Sequence, residues 1–506
     1  VEVVAGDIVF NPGYTLKVEN DVKVTGGTLT FQNNASLVQV NTLDNQNNMF
    51  SNSGAIAYRR TTTPMKKFDY TYWSSPVIPQ TLAGFSPNST RFYEYDPIGL
   101  TWLAAPTSVP MVPGKGYIIR APDVVPFNTV TANTFTGTFN GTPITGDVSI
   151  PIVGTGTPFN LIGNPYPSAI SANLFLSNLA NVPVIDGTLY LWTHNTPFSG
   201  FSYTSNDYAM YNYSGGVGTG TDSPNNGVNN SVPNGKIASG QAFFIKGLTD
   251  GNAVFNNNMR LIGNNNQFFR MDADATPTNI GALESHRFWL DIFNETGAFK
   301  EMLIAYVETA TDGIDRGFDG DLIDIGNPII IYAIQEDKKL SIQGRALPFD
   351  SNQTIPLGYK ATVGGNFQIK LSMFDGLFEN QDIYLEDRAL TVVHNLKESN
   401  YQFATDSGTF DNRFVIRYTP SGTLNTTTFT LNDVVIYKND SNNFVVSSGQ
   451  VILKSIKVFD VRGRLLQEYN DINANTITID GGQTNQVLLL QMTDSNGMKI
   501  SKKVIR

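Results

Sequence analysis

The densest chemistry in this sequence is a run of carboxylates, Asp312, Asp315, Asp319, Asp321 and Asp324, interleaved with Gly313, Gly317 and Gly320. Oxygen-rich, turn-rich segments suit calcium, which takes roughly six to eight oxygen ligands. The spacing lacks the terminal bidentate Glu of an EF-hand, so a solvated loop in which Arg316 screens the acids is weighed ahead of a calcium site. A second group is aromatic. Tyr72, Trp73, Trp102 and Trp192, with Tyr70, Tyr93 and Tyr95 nearby in sequence, could line a groove for surface glycans. Aromatics at alternating strand positions are more often core, and alternation puts Tyr70 and Tyr72 on one face and Trp73 on the other. The three histidines, His194, His286 and His394, share no metal-binding spacing, and His194 beside Asn195 suits a local hydrogen bond. Glu94 and Asp96 could in principle serve glycoside hydrolysis, but no pocket signal accompanies them. No nucleophile elbow, phosphate-cradling loop or zinc-protease helix is present. Gly215-Gly216-Val217-Gly218-Thr219-Gly220 follows no strand–helix unit and reads as a loop. The expectation is a non-enzyme with no catalytic residues and no cofactor, a calcium ion being the alternative.

The elements that position these groups are strands. Thirty-two Phe and 21 Tyr supply large buried area and favour sheets, while 45 Gly and 25 Pro imply many turns. Charged residues make up 15% of the chain, so Asn, Thr, Ser and Gln must carry much of the polar surface. There are no cysteines, which removes disulfides, thiolate zinc sites and thiol catalysis. A length of 506 residues exceeds a single core. No apolar run reaches the ~18 residues that span a bilayer, and a net charge of −10 disfavours nucleic acid. Val1-Glu2-Val3 reads as strand rather than signal peptide, so a removed precursor segment is expected.

The expected fold is all-β, with several β-sandwich domains in tandem. Residues 1–58 have the spacing of β-solenoid rungs, with Gly26-Gly27 and Asn33-Asn34 at corners. Residues 59–272 form an aromatic-rich β passenger domain, in which 172–178 is a short helix capped by Ser171. Asn164-Pro165-Tyr166-Pro167 marks a rigid turn, with a cis Tyr166–Pro167 bond as an option. Residues 214–230 read as an exposed loop, and 273–281 as a linker. Residues 282–420 suit a sandwich of roughly eight strands. After a Ser/Thr-rich linker at 420–428, residues 433–506 carry about seven short strands, an immunoglobulin-like count.

That last segment differs in charge. Residues 434–506 hold nine Lys or Arg against six Asp or Glu, a net of +3, which leaves −13 on residues 1–433. Its run Ile456-Lys457-Val458-Phe459-Asp460-Val461-Arg462-Gly463-Arg464-Leu465-Leu466, the strand Val487-Leu488-Leu489-Leu490-Gln491-Met492, the Asn496-Gly497 turn and Lys502-Lys503-Val504 resemble the C-terminal sorting domains of type IX secretion substrates. Gln486-Val487-Leu488 stands where the commoner type A pattern has Gly, Val or Ile, and Tyr, so the resemblance is to the type C variant of gliding Bacteroidota. Upstream, Tyr72-Trp73-Ser74-Ser75-Pro76-Val77, residues 163–170, Trp192-Thr193-His194-Asn195, Gly240-Gln241-Ala242-Phe243-Phe244, Tyr384-Leu385-Glu386-Asp387 and His394-Asn395-Leu396 resemble passengers that accompany such domains.

The resemblance implies passage through the periplasm, recognition by an outer-membrane translocon and its shuttle barrel, and a final place at the cell surface or in the medium. Recognition is expected at the turn residues Asp460, Arg462, Gly463 and Arg464 and at the end residues Lys499, Lys502, Lys503, Val504 and Arg506. The passenger is then adhesive or structural. The alternatives are a secreted carbohydrate-binding or polysaccharide-degrading protein, and an accessory component bound to the translocon.

Overall fold

Alternation of buried and exposed residues along Thr136–Pro143 and Val148–Ile152 shows the two-residue period that makes this chain a stack of sheets. In the computed structural model, residues 1–43, 49–156, 158–193, 207–219, 232–266, 283–420, 434–439, 443–449, 451–480, 487–495 and 497–505 are described. The architecture is all-β, and the two α-helices among these residues, Leu82–Phe85 and Ala172–Leu176, are single turns. Ser171 caps the second through its hydroxyl, which accepts from the Leu174 amide. No helix among the described residues is long and apolar enough to cross a membrane. The chain divides into two compact units, Val1–Tyr418 and Thr419–Arg506.

The first unit opens as a parallel solenoid. Glu2–Val3 pairs with Lys23–Val24, Asp7–Phe10 with Thr28–Phe31, and Thr15–Val18 with Ser36–Gln39, each at a constant offset of 21 residues. Phe10 stacks on Phe31 at 5.0 Å, and Phe31 meets Tyr58 at 5.9 Å. Thr28–Phe31 pairs in parallel on its other side with Ile56–Thr61, which pairs onward with Thr136–Pro143.

Two further sheets follow. One holds Tyr70–Trp73, Phe92–Asp96, Thr101–Ala104 and Tyr117–Arg120. The other holds Phe159–Gly163, Ile185–Trp192, Tyr208–Asn212, Gly215–Val217 and Ala242–Gly247. The glycine run expected as a loop therefore begins as a strand, because Gly215–Val217 pairs with residues 210–212. The indole N–H of Trp289 donates to the Gly216 carbonyl at 2.7 Å, and Glu301 accepts the Gly218 amide at 2.6 Å. Residues 220–230, and the linkers expected at 273–281 and 421–428, lie outside the described residues. The Asn164–Pro167 turn is buried architecture: the Asn164 amide donates to the carbonyls of Ser168, Ile237 and Ala238. Its Tyr166–Pro167 bond is not cis; the cis bonds among the described residues are Ile78–Pro79, Val125–Pro126 and Leu347–Pro348.

Residues 285–417 build one sheet of 11 strands rather than the eight or so that spacing suggested. Its terminal strands, Val392–Asn395 and Tyr401–Thr405, are near neighbours in sequence, so the sheet curls until its two ends face each other around a single apolar interior. Closure is visible in the side chains. Tyr359 reaches Thr405 across the interior at 2.9 Å, and fully buried Asp387 accepts from Arg413 at 2.8 Å and from the Tyr401 hydroxyl at 2.9 Å. Burial alone would raise the Asp387 pKa, but those Arg413 and Tyr401 bonds hold it below the usual carboxylate range.

Among the described residues the second unit has seven strands in two sheets. Val435–Lys438, Phe444–Ser447 and Thr476–Ile479 form one; Leu453–Asp460, Leu465–Tyr469, Val487–Asp494 and Lys499–Ile505 form the other. Phe444, Val446, Ile456, Val458, Leu490 and Met492 fill the space between them.

Removing one partner of a buried ion pair leaves the other charge uncompensated, at a cost of about 3–5 kcal/mol. Asp387→Ala is therefore expected to lower the melting temperature of the first unit by several degrees while leaving the transition of the second unit in place. Calorimetry of the full chain reads both; an unchanged first transition contradicts the role given to Asp387.

Candidate functional site

The turn after Leu453–Asp460 is built by one carboxylate. Asp460 accepts the amides of Arg462 and Arg464 at 2.9 Å each, and its side chain also meets Arg464 Nε at 3.2 Å. Gly463 sits at φ +80°, a conformation costly for residues with a side chain, and donates to the Asp460 carbonyl. Hydrogen bonds from the Arg464 and Arg462 backbone hold the Asp460 carboxyl below its ordinary pKa. The turn thus projects Arg462 and Arg464 outward, and Arg464 is 78% exposed.

Register then sorts the last strand. Lys499, Ser501, Lys503 and Ile505 face out, whereas Ile500, Lys502 and Val504 turn toward the core. Lys502 is consequently a structural residue, donating to the Val434 carbonyl just before the first strand of the other sheet. Arg506 lies outside the described residues, as does Asn496 of the hairpin turn. On the outer face, cross-strand pairing lines up Leu465, Phe459, Leu489 and Lys503 in one row and Val487 with Ile505 in the next. Leu489 is 43% and Ile505 70% exposed. Lys457 is neutralised by Glu468 at 3.2 Å, but Arg462, Lys499 and Lys503 make no ion pair with a described residue. The strand Lys499–Ile505 also ends its sheet, so its outer backbone edge pairs with no described strand. An apolar strip, a cationic rim and an open edge meet on one surface.

The other sequence candidates are dispersed. Asp312 meets Arg345 at 3.3 Å, Asp321 meets Lys246 at 2.5 Å, and Asp324 meets Lys360 at 2.6 Å. Asp315 and Asp319 accept backbone amides from Thr311, Asp315 and Gly344. The screening expected of Arg316 falls to these other cations, because Arg316 reaches the Ile185 carbonyl instead. Among the described residues no group of three His, Cys, Asp or Glu converges as a metal site. Glu94 pairs with Lys115, and Asp96 accepts the Ile98 amide within its hairpin. His286 accepts the Leu377 amide, His394 contacts the Ser399 carbonyl, and His194 lies outside the described residues.

Tyr72, Trp102 and Trp192 do come together. Tyr72 stacks on Trp192 at 5.5 Å, and Trp102 meets Tyr72 edge-on at 5.9 Å. Tyr72 and Trp192 are buried and face one another, so of the three only half-buried Trp102 keeps ring surface toward solvent. Trp73, on the opposite strand face, packs against Phe85 and Phe139 in a different core.

Sequence reading missed a buried acid pair. Asp291 and Glu301 are cross-strand neighbours on adjacent strands, both almost fully enclosed. Burial, reinforced by each other's proximity, raises Glu301 to about 8, and burial raises Asp291 to about 6. The folded state therefore keeps protons that an unfolded chain releases near pH 4. Stability from this pair is full below pH 4 and is lost as pH rises toward 8. Lys300, lowered to about 8 by burial, has the opposite sign but acts only above that pH. Glu301→Gln keeps an acceptor for the Gly218 amide and cannot ionise. In thermal melts it is expected to match the parent at pH 5 and to exceed it at pH 8; equal loss on alkalinisation in both proteins contradicts the assignment.

The division of the chain into two units recurs in its relationships. Residues 423–506 match a family described as Domain of unknown function (DUF8694). No curated protein matches the chain. Residues 3–418, most of the first unit, match the family described as Domain of unknown function (DUF8693), and the chain belongs to that family.

Proposed function

We propose that this is an exported cell-surface or secreted protein whose second unit is its sorting signal, read by the outer-membrane translocon and shuttle barrel of a type IX secretion system. The passenger, Val1–Tyr418, acts as a non-catalytic adhesive or structural body. The observation that carries this reading is the outer face of the second unit, where Leu465, Phe459 and Leu489 line up across the sheet toward Lys503 on a closing strand. That strand also carries Lys499 and Ile505, and its outer edge pairs with no described strand, while Arg462 is exposed in the turn beyond Phe459. Exposed apolar strips with charged rims mark docking sites, and an open edge adds main-chain hydrogen bonds to a partner strand. Cations on the rim steer encounter with an acidic receptor. The separate compactness of Thr419–Arg506 suits a module recognised in the folded state.

Leu489→Asp combined with Lys503→Glu changes only outward-facing side chains, so the unit is expected to fold normally. In a host with the secretion system, surface display of the full chain is expected to fall at least about tenfold, with periplasmic accumulation (a factor of ten is ~1.4 kcal/mol of recognition). Unimpaired display of the doubly substituted chain overturns the reading.

A further inference from the structure

One loop of the first unit holds valines in water while bonding its own backbone. Val125 is 94% and Val130 80% exposed, with Val124 beside them at 44%. Scattered exposed apolar residues are ordinary, but these three share one braced loop, residues 122–133. Its base is fixed on both sides. The Asp123 amide donates to the Asn88 carbonyl, the Lys67 amide donates to the Asn128 carbonyl, and Met65 and Asn133 exchange backbone bonds at 2.9 Å. Within the loop the Phe127 amide donates to the Val124 carbonyl, and the Asn128 side chain accepts the Val130 and Thr131 amides at 2.8 and 2.7 Å. The side chains of Asn128 and Asn133 both donate to the Pro126 carbonyl, which ties the two valine-bearing turns together.

The charge around this loop is opposite in sign to that of the unit it belongs to. Residues 59–133 hold seven Lys or Arg against four Asp or Glu, a net of +3, while residues 1–433 sum to −13. Lys67 is placed at the base by its backbone bond to Asn128. Arg91 is placed there by its neighbour Thr90, whose hydroxyl donates to Asp123. Burial alone would raise the Asp123 pKa, but Thr90, Arg120 and Lys67 hold it below the usual carboxylate range. Asp123 is thus taken up by Thr90 and by Arg120 at 2.8 Å, whereas Lys67 and Arg91 make no ion pair with a described residue. An apolar tip stands on a basic collar.

We propose that this loop docks the first unit on an anionic lipid surface, with Val124, Val125 and Val130 entering the headgroup layer and Lys67 and Arg91 meeting the anionic headgroups. Apolar side chains combined with nearby cations give reversible attachment to anionic bilayers, each part adding to the other. The backbone favours a water-poor layer over a directional protein contact. Amides 127, 130 and 131 are already bonded and Pro126 has none, so insertion strands few polar groups. A second copy would set one basic collar against another, which disfavours self-association through this face. The inference is independent of how the chain is exported.

The test floats the full chain with vesicles of phosphatidylcholine alone or mixed with phosphatidylglycerol. Binding to the anionic vesicles is expected to be at least about tenfold tighter (~1.4 kcal/mol) and to weaken with salt. Val125→Asp combined with Val130→Asp, both at exposed positions, is expected to abolish it without shifting the melting temperature, and Lys67→Glu to weaken it several-fold. The chain has no cysteine, so Val130→Cys accepts a single environment-sensitive fluorophore. Its emission is expected to shift to the blue on anionic vesicles, while the same label at exposed Val363 stays unchanged. Equal binding to the two kinds of vesicle, or an unmoved label at position 130, overturns the proposal. Full binding by the doubly substituted chain also overturns it, because cations elsewhere, such as those of the second unit, then carry the attraction.

Discussion

Every strand carries a row of backbone donors and acceptors on each side, and in a chain without cysteine the fate of those edges decides the architecture. The 11-stranded sheet resolves the problem by bending until its terminal strands face each other. Asp387, Arg413 and Tyr401 tie that seam with charge-assisted bonds inside an apolar interior. The same demand explains why Gly215-Gly216-Val217 forms a strand, with Gly218 bonded just beyond it. Their carbonyls and amides find partners in residues 210–212, Trp289 and Glu301. Against this closure, the strand Lys499–Ile505 keeps one side unpaired among the described residues.

The closing strand is basic, and strict alternation divides its lysines by role. Lys502 turns inward and ties the two sheets together, while Lys499 and Lys503 remain outside. A single-residue shift in register would exchange those roles. The position of this strand against Val487–Asp494 therefore determines what a receptor would meet.

Much of this was legible in the sequence where one face of an element is solvated. The Asp460–Arg464 turn, the Ser171-capped helix and the solenoid corners all follow from local chemistry. Pairs such as Phe10 and Phe31, Leu16 and Leu37, and Asn20 and Asn41 also display the repeat. What escaped lies where both faces are covered. Ser285–Phe293 and Phe299–Val307 bury Leu290 and Ile304 in one core and Trp289 and Leu303 in another, so no alternation signals which face holds Asp291 and Glu301. The acidic run 312–324 reads foremost as a solvated loop screened by Arg316, with a calcium site as the alternative. Its side chains instead leave toward Arg345, Lys246 and Lys360, on separate strands that composition does not place.

The central claim is that the outer face of the second unit, and not the passenger, makes the recognition contact at the outer membrane. Site-specific photocrosslinking tests it most directly, with a photoreactive residue at Leu489 and, as control, at exposed Val393 on the passenger. The account predicts a covalent adduct to an outer-membrane protein from position 489 only, lost when Lys503 is reversed to Glu. Adducts of equal yield from both positions, or from position 393 alone, would contradict it.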